Sequence, residues 1–492
     1  MKKYILSIDA GTTGITVLII NKKMTIIDNF YQEFTQFYPQ PGWVEHDGKE
    51  IWTVTKALLT SAFKKYNPQN FAGIGITNQR ETTLIWHKKN NKPIYNAIVW
   101  QCRRTEPICN ELKSSKNANK FIKKTGLVID SYFSATKIKW ILDNVKNARS
   151  MAKKGDLAFG TIDSWILWNL TDGEIHATDH TNASRTLIYN IDELCWDKEL
   201  LSILNIPHAM LPKVFNSCNE FGKTNIKLFN YSIPITGIAG DQQAALYGQN
   251  CINPGDTKCT YGTGCFLLTN TGKKRVKSQS GLLTTLACNI NGKPIYAIEG
   301  SIFMGGAIIQ WMRDELDMLE TAKESEKIAL SINNSNGIII VPAFTGLGAP
   351  YWDMNARGII TGLTRGVNKK HIIRAGLESI AFQVNDILNA IIKDTKINLK
   401  QLKVDGGACE NNFLMQFQSD IINLNITRPK NIESTALGAG MLAGLGAGFW
   451  KNTNEMFSQK KIDKIFTSQM DEKTRRNHMK KWNEAVKKVL IK

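Results

Sequence analysis

Four stretches of this chain carry residue types and spacings that could do chemistry. In the first, the apolar run Ile5-Leu6-Ser7-Ile8 ends in Asp9 and turns through Ala10-Gly11-Thr12-Thr13-Gly14. The Thr12 and Thr13 hydroxyls and the N–H groups up to Gly14 make a concave row of donors suited to a phosphate chain. Asp9 beside them could hold a hydrated Mg²⁺ on those phosphates, because hard cations take oxygen ligands. The same residues also spell an ordinary Gly/Thr hairpin turn. In the second, Thr77-Asn78-Gln79-Arg80-Glu81-Thr82-Thr83 is a dense polar row between two apolar runs. Arg80 donates and Glu81 accepts, the mixture that a ligand rich in hydroxyls needs. A surface turn with a structural ion pair is the plain alternative. The third, 96–104, brings Trp100 to a strand end, where an indole could pack on a carbon skeleton while its neighbours hold hydroxyls. In the fourth, the run from Pro234 to Gly240 sets Asp241, followed by Gln242, at a strand end over the start of a helix. Such a position faces ligands in α/β folds, and it is equally the place of a capping aspartate.

These groups need a frame. Ile15 to Ile20 leads away from the first turn, and Thr25 to Phe37 reads as a third strand, so the chain opens as an antiparallel meander. Between 49 and 66, Ile51, Trp52, Val54, Leu58, Leu59, Ala62 and Phe63 recur at helical spacing. Phe71 to Ile76 reads as a buried strand, and three strands, a helix and a strand fit a mixed sheet. Ser134 to Asn144 reads as a helix, and Asp163 and Trp165 are assigned to packing. Asn253-Pro254-Gly255-Asp256 marks a domain boundary. After it, Thr257 to Thr260, the turn Tyr261-Gly262-Thr263-Gly264 and Cys265 to Thr269 repeat the opening logic of strand, Gly/Thr turn and strand. Residues 299–311 read as a turn into a helix in which Gly305 and Gly306 each cost about 1 kcal/mol against Ala. Leu402 to Asp405 runs into Gly406-Gly407-Ala408 before a helix from Asn412 to Ile421. Leu437 to Leu445 is a small-residue packing helix, and the tail from Asp471 is a basic helix on the surface or at an interface.

Composition limits the function classes. A chain of 492 residues exceeds one ordinary core, so two domains are expected. The apolar share of 42% and charged share of 21% belong to a globular chain. The formal net charge of +19 invites a nucleic-acid reading. The lysines, however, are scattered singly and in pairs, and no RNA-binding or zinc-finger spacing occurs. No nucleic-acid partner is expected, and the positive field suits an anionic nucleotide instead. Nine cysteines without a C-x-x-C pair argue against a disulfide scaffold and for a reducing cytoplasm. No apolar run approaches the length of a membrane span, so no stable membrane insertion is expected.

Long strings then bring a family into view. PGWVEHD (41–47), GITNQRETT (75–83), NAIVWQCRRT (96–105), TGLVIDSYFSATKIKWILD (125–143) and TNASRT (181–186) closely resemble the glycerol kinases, of the sugar-kinase family in the actin/hexokinase/Hsp70 ATPase superfamily. The resemblance covers nearly the whole chain. It implies an α/β fold of two ribonuclease-H-like domains with mixed five-stranded sheets flanking a central cleft. The first, 1–252, would bind glycerol and phosphate, and the second, 253–492, the adenine nucleotide. It implies ATP-dependent phosphorylation of glycerol to sn-glycerol 3-phosphate, in glycerol catabolism and glycerolipid supply, with Mg²⁺. Carried over residue by residue, Arg80, Glu81, Tyr132 and Gln242 hold glycerol, Trp100 and Phe266 wall its pocket, and Asp241 is the general base, a role that the kinase mechanism gives to an aspartate. Thr12, Thr13, Gly14, Thr263, Gly306, Gln310, Gly407 and Asn411 fall at nucleotide positions, with Asp9 at the metal. A homodimer or homotetramer in the cytoplasm is likewise implied.

The chain departs from this pattern at its first turn. Ala10 stands where the family has Gln, Gly14 where it has Ser, and Thr16 where an arginine is expected, which removes one charged phosphate contact. Two other readings are a kinase of another polyol or ketose, and a nucleotide-binding partner protein without polyol-dependent turnover. The absence of G-x-x-x-x-G-K-[ST] excludes a P-loop kinase.

Overall fold

In the computed structural model, which describes residues 2–290 and 292–490, the opening meander is β1 (Tyr4–Ala10), β2 (Gly14–Asn21) and β3 (Ile26–Glu33). Asp47 accepts from the Lys49 N–H at the start of α1 (Gly48–Lys65), which buries Ile51, Val54, Leu58, Leu59 and Ala62. The chain then enters β4 (Phe71–Asn78), buried at all eight positions. The helices α2 (Ser134–Asn144) and α3 (Ile162–Leu170) follow, then β5 (Cys218–Lys223), β6 (Pro234–Gly240) and α4 (Asp241–Gly248). The sheet order is β5-β6-β4-β1-β2-β3. β1 pairs antiparallel with β2 but parallel with β4, and β4 pairs parallel with β6.

The same scheme returns later in the chain. β7 (Thr257–Tyr261) and β8 (Cys265–Gly272) form a hairpin, followed by β9 (Leu283–Leu286), β10 (Tyr296–Ile302) and α5 (Ala307–Asp314). The long α6 (Lys369–Thr395) precedes β11 (Gln401–Asp405), α7 (Asn412–Ile422), β12 (Asn425–Pro429) and β13 (Ile462–Phe466). The order is β9-β10-β8-β7-β11-β12-β13. The five-stranded mixed core expected from the sequence is present twice, but the sheets have six and seven strands. The additions lie beyond that core. Two of them, β5 and β13, are antiparallel and carry charged side chains, and such short polar edges leave no apolar alternation to read.

The chain divides into two compact units, Met1–Asn250 with Thr284–Tyr296 and Thr435–Lys460, and Cys251–Leu283 with Ala297–Ser434 and Lys461–Lys492. The late segment of the first unit carries most of the helix Ser434–Gly446. Its small residues let it lie directly on backbone: a Cβ on Gly75 would come 2.2 Å from the Ala439 carbonyl oxygen, and one on Gly438 would come 1.9 Å from that of Ala244.

One element assignment changes, and the tail helix proves to have a buried side. Residues 296–302 are strand β10, and Gly306 caps α5 from outside, so neither Gly305 nor Gly306 weakens a helix interior. A Cβ on Gly306 would meet the Gly262 carbonyl oxygen at 2.9 Å, so close backbone approach keeps this position small. The tail helix α8 (Glu472–Val489) is solvated on one side only. Trp482 is fully buried, stacks on Phe382 at 5.3 Å and donates to Asp386 at 2.7 Å.

Candidate functional site

In the first unit the polar residues gather where strands β1, β4 and β6 end. Asp9 is the penultimate residue of β1, in register with Thr16 on β2 and Thr77 on β4. Thr12 and Thr13 follow in the turn, half-buried and exposed. Arg80 and Glu81 continue from β4, and both are 2% exposed as residues. Asp241, the first residue of α4, accepts from the Gln242 N–H at 2.7 Å. The Arg80 guanidinium lies 3.1 Å from the Asp241 carboxylate and 3.6 Å from that of Glu81. The Asp241 side chain is 29% exposed, against 2% for Glu81, so Asp241 is the more open of the two carboxylates.

A buried scaffold holds this group. Arg185 donates to Glu81 at 2.7 Å with its side chain fully covered, so the Glu81 carboxylate sits between two guanidiniums. Such charge-assisted bonds are the strong ones. Arg185 also lies 5.8 Å from the centre of the Tyr132 ring. Tyr132 meets Trp100 edge-on at 5.5 Å, and the Trp100 indole N–H donates to the Thr12 hydroxyl at 3.0 Å. Lys137, on α2 and wholly buried, donates to the backbone carbonyls of Glu81 and Tyr132 at 3.0 and 2.7 Å. Burial pulls it down to about 7. Sequence reasoning misses Arg185 and Lys137, although both lie inside strings that carry the family resemblance. Nothing in their local spacing distinguishes them from solvated cations. Asp163 is more than packing: it is fully buried and accepts from Thr161 and Thr178, and burial pushes it up to about 6.

The altered turn has a local explanation. A Cβ on Gly14 would lie 2.7 Å from the Gln32 carbonyl oxygen and 2.8 Å from the Tyr31 ring on β3. Glycine at 14 therefore accommodates the close approach of β3. Ala10 is fully buried in the core.

The second unit holds a cavity of about 550 Å³ lined by Gly262, Thr263, Gly306, Gln310, Gly407 and Asn411, among others. Thus all five nucleotide candidates of this half meet at one opening. The Gly262 and Thr263 carbonyls accept the Gly306 and Gly305 N–H groups at 2.8 Å each, tying the turn to the start of α5. Asn411 caps α7 by accepting from the Leu414 N–H, and it donates to Ser325, so it has a structural duty as well. Gly407 is exposed, and a Cβ added there would have nothing within 4 Å. Phe266 is half-buried on β8 of this unit, opposite Thr260.

Among the described residues no group of three or more His, Cys, Asp or Glu could form a metal site. The single carboxylate Asp9 beside a row of donors fits a cation that arrives with phosphates and supplies most of its own ligands.

Comparison with known proteins agrees with this two-unit fold. The model of the FGGY family of carbohydrate kinases matches residues 4–248 with its N-terminal domain and 257–447 with its C-terminal domain. A glycerol kinase of Clostridium botulinum (strain 657 / Type Ba4) is 57% identical over 493 residues, covering 100% of this chain and 99% of that protein. One from Thermoanaerobacter pseudethanolicus is 56% identical over 492 residues, with 100% and 99% covered. Among solved structures, Plasmodium falciparum glycerol kinase with ADP superposes with a TM-score of 0.93 at 40% identity, covering 99% of this chain and 98% of that one. A gluconate kinase from Lactobacillus acidophilus, at 24% identity and a TM-score of 0.88 over 99% and 97%, shares the fold.

Proposed function

This chain belongs to the FGGY family of carbohydrate kinases, among its glycerol kinases, and from that premise we propose that it moves the γ-phosphoryl group of ATP onto a primary hydroxyl of glycerol, giving sn-glycerol 3-phosphate. The observation that carries this reading is the Arg80–Asp241 contact at 3.1 Å, beside the buried Glu81. Arg80 and Glu81, with Tyr132 and Gln242, offer both donors and acceptors to a triol, and Trp100 and Phe266 offer faces to its carbons. Asp241, open to ligand, takes the hydroxyl proton as the oxygen attacks phosphorus. The phosphoryl group leaves ADP, and the proton passes from Asp241 to solvent. Little covalent work falls to the protein, so rate comes from positioning and charge.

The turn at Thr12, Thr13 and Gly14 takes the phosphates. The cavity at Thr263, Gly306, Gln310, Gly407 and Asn411 takes the nucleoside. Asp9 would hold Mg²⁺ through water, and that ion would neutralise phosphate charge. Residues 1–252 then supply the phosphate turn and the polar contacts to glycerol, and 253–492 the adenine-nucleotide cavity together with Phe266. We place the enzyme in the cytoplasm, feeding glycerol catabolism and glycerolipid supply. Its nine cysteines are all unpaired, which suits a reducing compartment. No described helix is long and apolar enough to cross a membrane. A homodimer or homotetramer is expected, to be read by sedimentation.

The test is ADP release from Mg·ATP with and without glycerol, beside xylulose, ribulose, erythritol, gluconate and dihydroxyacetone. Stimulation by glycerol above all others is the expected result. Stimulation by another compound moves the substrate, and ATP binding without any stimulation leaves a nucleotide-binding protein.

A further inference from the structure

Four consecutive carbonyl groups of the first turn, those of Ala10, Gly11, Thr12 and Thr13, each accept a hydrogen bond from the protein. The donors are the Gln79 N–H at 2.9 Å, Gln79 Nε2 at 3.0 Å, Gln36 Nε2 at 3.1 Å and the Phe34 N–H at 3.2 Å. This matters for an anion. Carbonyl oxygens repel phosphate and N–H groups attract it. A planar peptide held by its oxygen on one side presents the N–H of the next residue on the other.

Two of these four donors are side-chain amides, and one imidazole orients both. His46 Nε2 lies 2.6 Å from Gln36 Oε1, and His46 Nδ1 lies 3.4 Å from Gln79 Nε2. His46 is fully buried, and burial pushes it down to about 3, so the ring is neutral. A neutral imidazole has one N–H and one lone pair. Donating at Nε2 and accepting at Nδ1, it turns the NH₂ group of each amide toward the turn carbonyls. The far side of Gln79 is fixed as well. Thr82 donates to Gln79 Oε1 at 2.7 Å and accepts from the Trp100 N–H at 3.3 Å, and the Trp100 indole returns to the Thr12 hydroxyl. Thr12, Gln36, His46, Gln79, Thr82 and Trp100 thus close a ring of hydrogen bonds.

We infer that Gln36, His46 and Gln79 are positioning residues for phosphoryl transfer: they hold the carbonyls of the phosphate turn away from the nucleotide and tie that turn to the indole walling the polyol pocket. The inference rests on the function proposed above. None of the three touches substrate in that reading. Because the ring is closed, a polyol seated against Trp100 bears on the same network that shapes the phosphate turn.

The experiment compares wild type with Gln36→Leu, His46→Leu and His46→Gln for kcat, KM for glycerol, glycerol-independent ATP hydrolysis and Tm. For the two leucine variants kcat should fall roughly 10- to 100-fold, the cost of a misplaced reacting group. KM for glycerol should stay near wild type, and the ratio of idle hydrolysis to transfer should rise. His46→Gln should recover most of kcat, because an amide also offers one donor and one acceptor. A Gln36→Leu variant with unchanged Tm and wild-type kcat overturns the inference, as does a His46→Gln variant no better than His46→Leu. If His46→Leu does not fold, Gln36→Leu decides, since that side chain is only half-buried. Wild type without glycerol-stimulated ADP release would instead overturn the proposed function, so the two failures are told apart by the wild-type arm.

Discussion

The Nε of Arg80 lies 3.1 Å from Asp241 and 3.6 Å from Glu81, so one buried cation links the open carboxylate to the covered one. Asp241→Asn keeps the shape and removes the charge. Transfer to glycerol should fall roughly 10²- to 10⁴-fold, the usual worth of a general base, while ADP binding measured by calorimetry stays close to wild type. A near-normal rate would remove Asp241 from the base role.

Arg185, at 2.7 Å, is the nearer of the two guanidiniums beside the Glu81 carboxylate, with Arg80 at 3.6 Å. Arg185→Met leaves a buried carboxylate with one partner fewer, a change that costs about 3–5 kcal/mol in buried pairs. The variant should unfold at lower denaturant concentration, and KM for glycerol should rise more than kcat falls. Arg185→Met with wild-type stability and KM would show that Arg80 suffices.

Gly407 offers a separable test of the proposal that the cavity of the second unit takes the nucleoside. A side chain there meets no protein atom within 4 Å of its Cβ, yet the residue lines the cavity. Gly407→Leu should leave Tm unchanged and weaken ADP binding by roughly 10-fold or more through occupied space, about 1.4 kcal/mol on the binding scale. Unchanged affinity, read by calorimetry, would place the nucleoside elsewhere.

Asp386 sets a pH dependence of stability. Burial pushes it from its ordinary 3.8 up to about 6, while it accepts from Trp482 and Tyr351. A folded value above the unfolded one means that the folded state holds the proton more tightly. Its stabilising contribution is therefore full below 3.8 and is lost as pH rises through 6. Asp386→Asn has no such loss. Its Tm advantage over wild type should be largest at pH 7 and shrink toward pH 4. His46 and His176, pushed down to about 3 and 4, act in the opposite sense, losing stability as pH falls below 6.5. The difference between the two proteins cancels that common term. A difference that grows toward acid would contradict the assignment.

Gly14 and Tyr31 are matched. Gly14→Ser, the residue that the family resemblance leads one to expect, brings a Cβ against the Tyr31 ring and the Gln32 carbonyl. Overpacking of this kind costs about 1–3 kcal/mol, so Tm should fall. Adding Tyr31→Ala should recover part of the loss and leave the part due to the carbonyl. Full tolerance of Gly14→Ser would mean that β3 shifts freely.

Much of this protein is legible in its residues. The apolar runs of 5–8 and 15–20 on either side of a Gly/Thr turn dictate the first hairpin, and the recurrence of that scheme at 257–269 announces the second. Helical spacing at 51–63 and 134–144 sets those helices, because a core-facing stripe is a local property of the chain. Arg80, Glu81 and Asp241 are readable as chemistry from their types at strand ends. What the tertiary structure alone decided concerns partners distant in sequence. Arg185 meets Glu81 across 104 residues, Gln79 reaches Gly11 across 68, and Ala439 comes to lie on Gly75. Hydrogen bonding and close packing are short-ranged, so a residue's role is set by whatever the fold brings within about 3 Å. Spacing along the chain holds no record of that. The edge strands β5 and β13 and the buried side of α8 escaped for the same reason, since neighbours rather than periodicity decide which polar segments a sheet or core takes in.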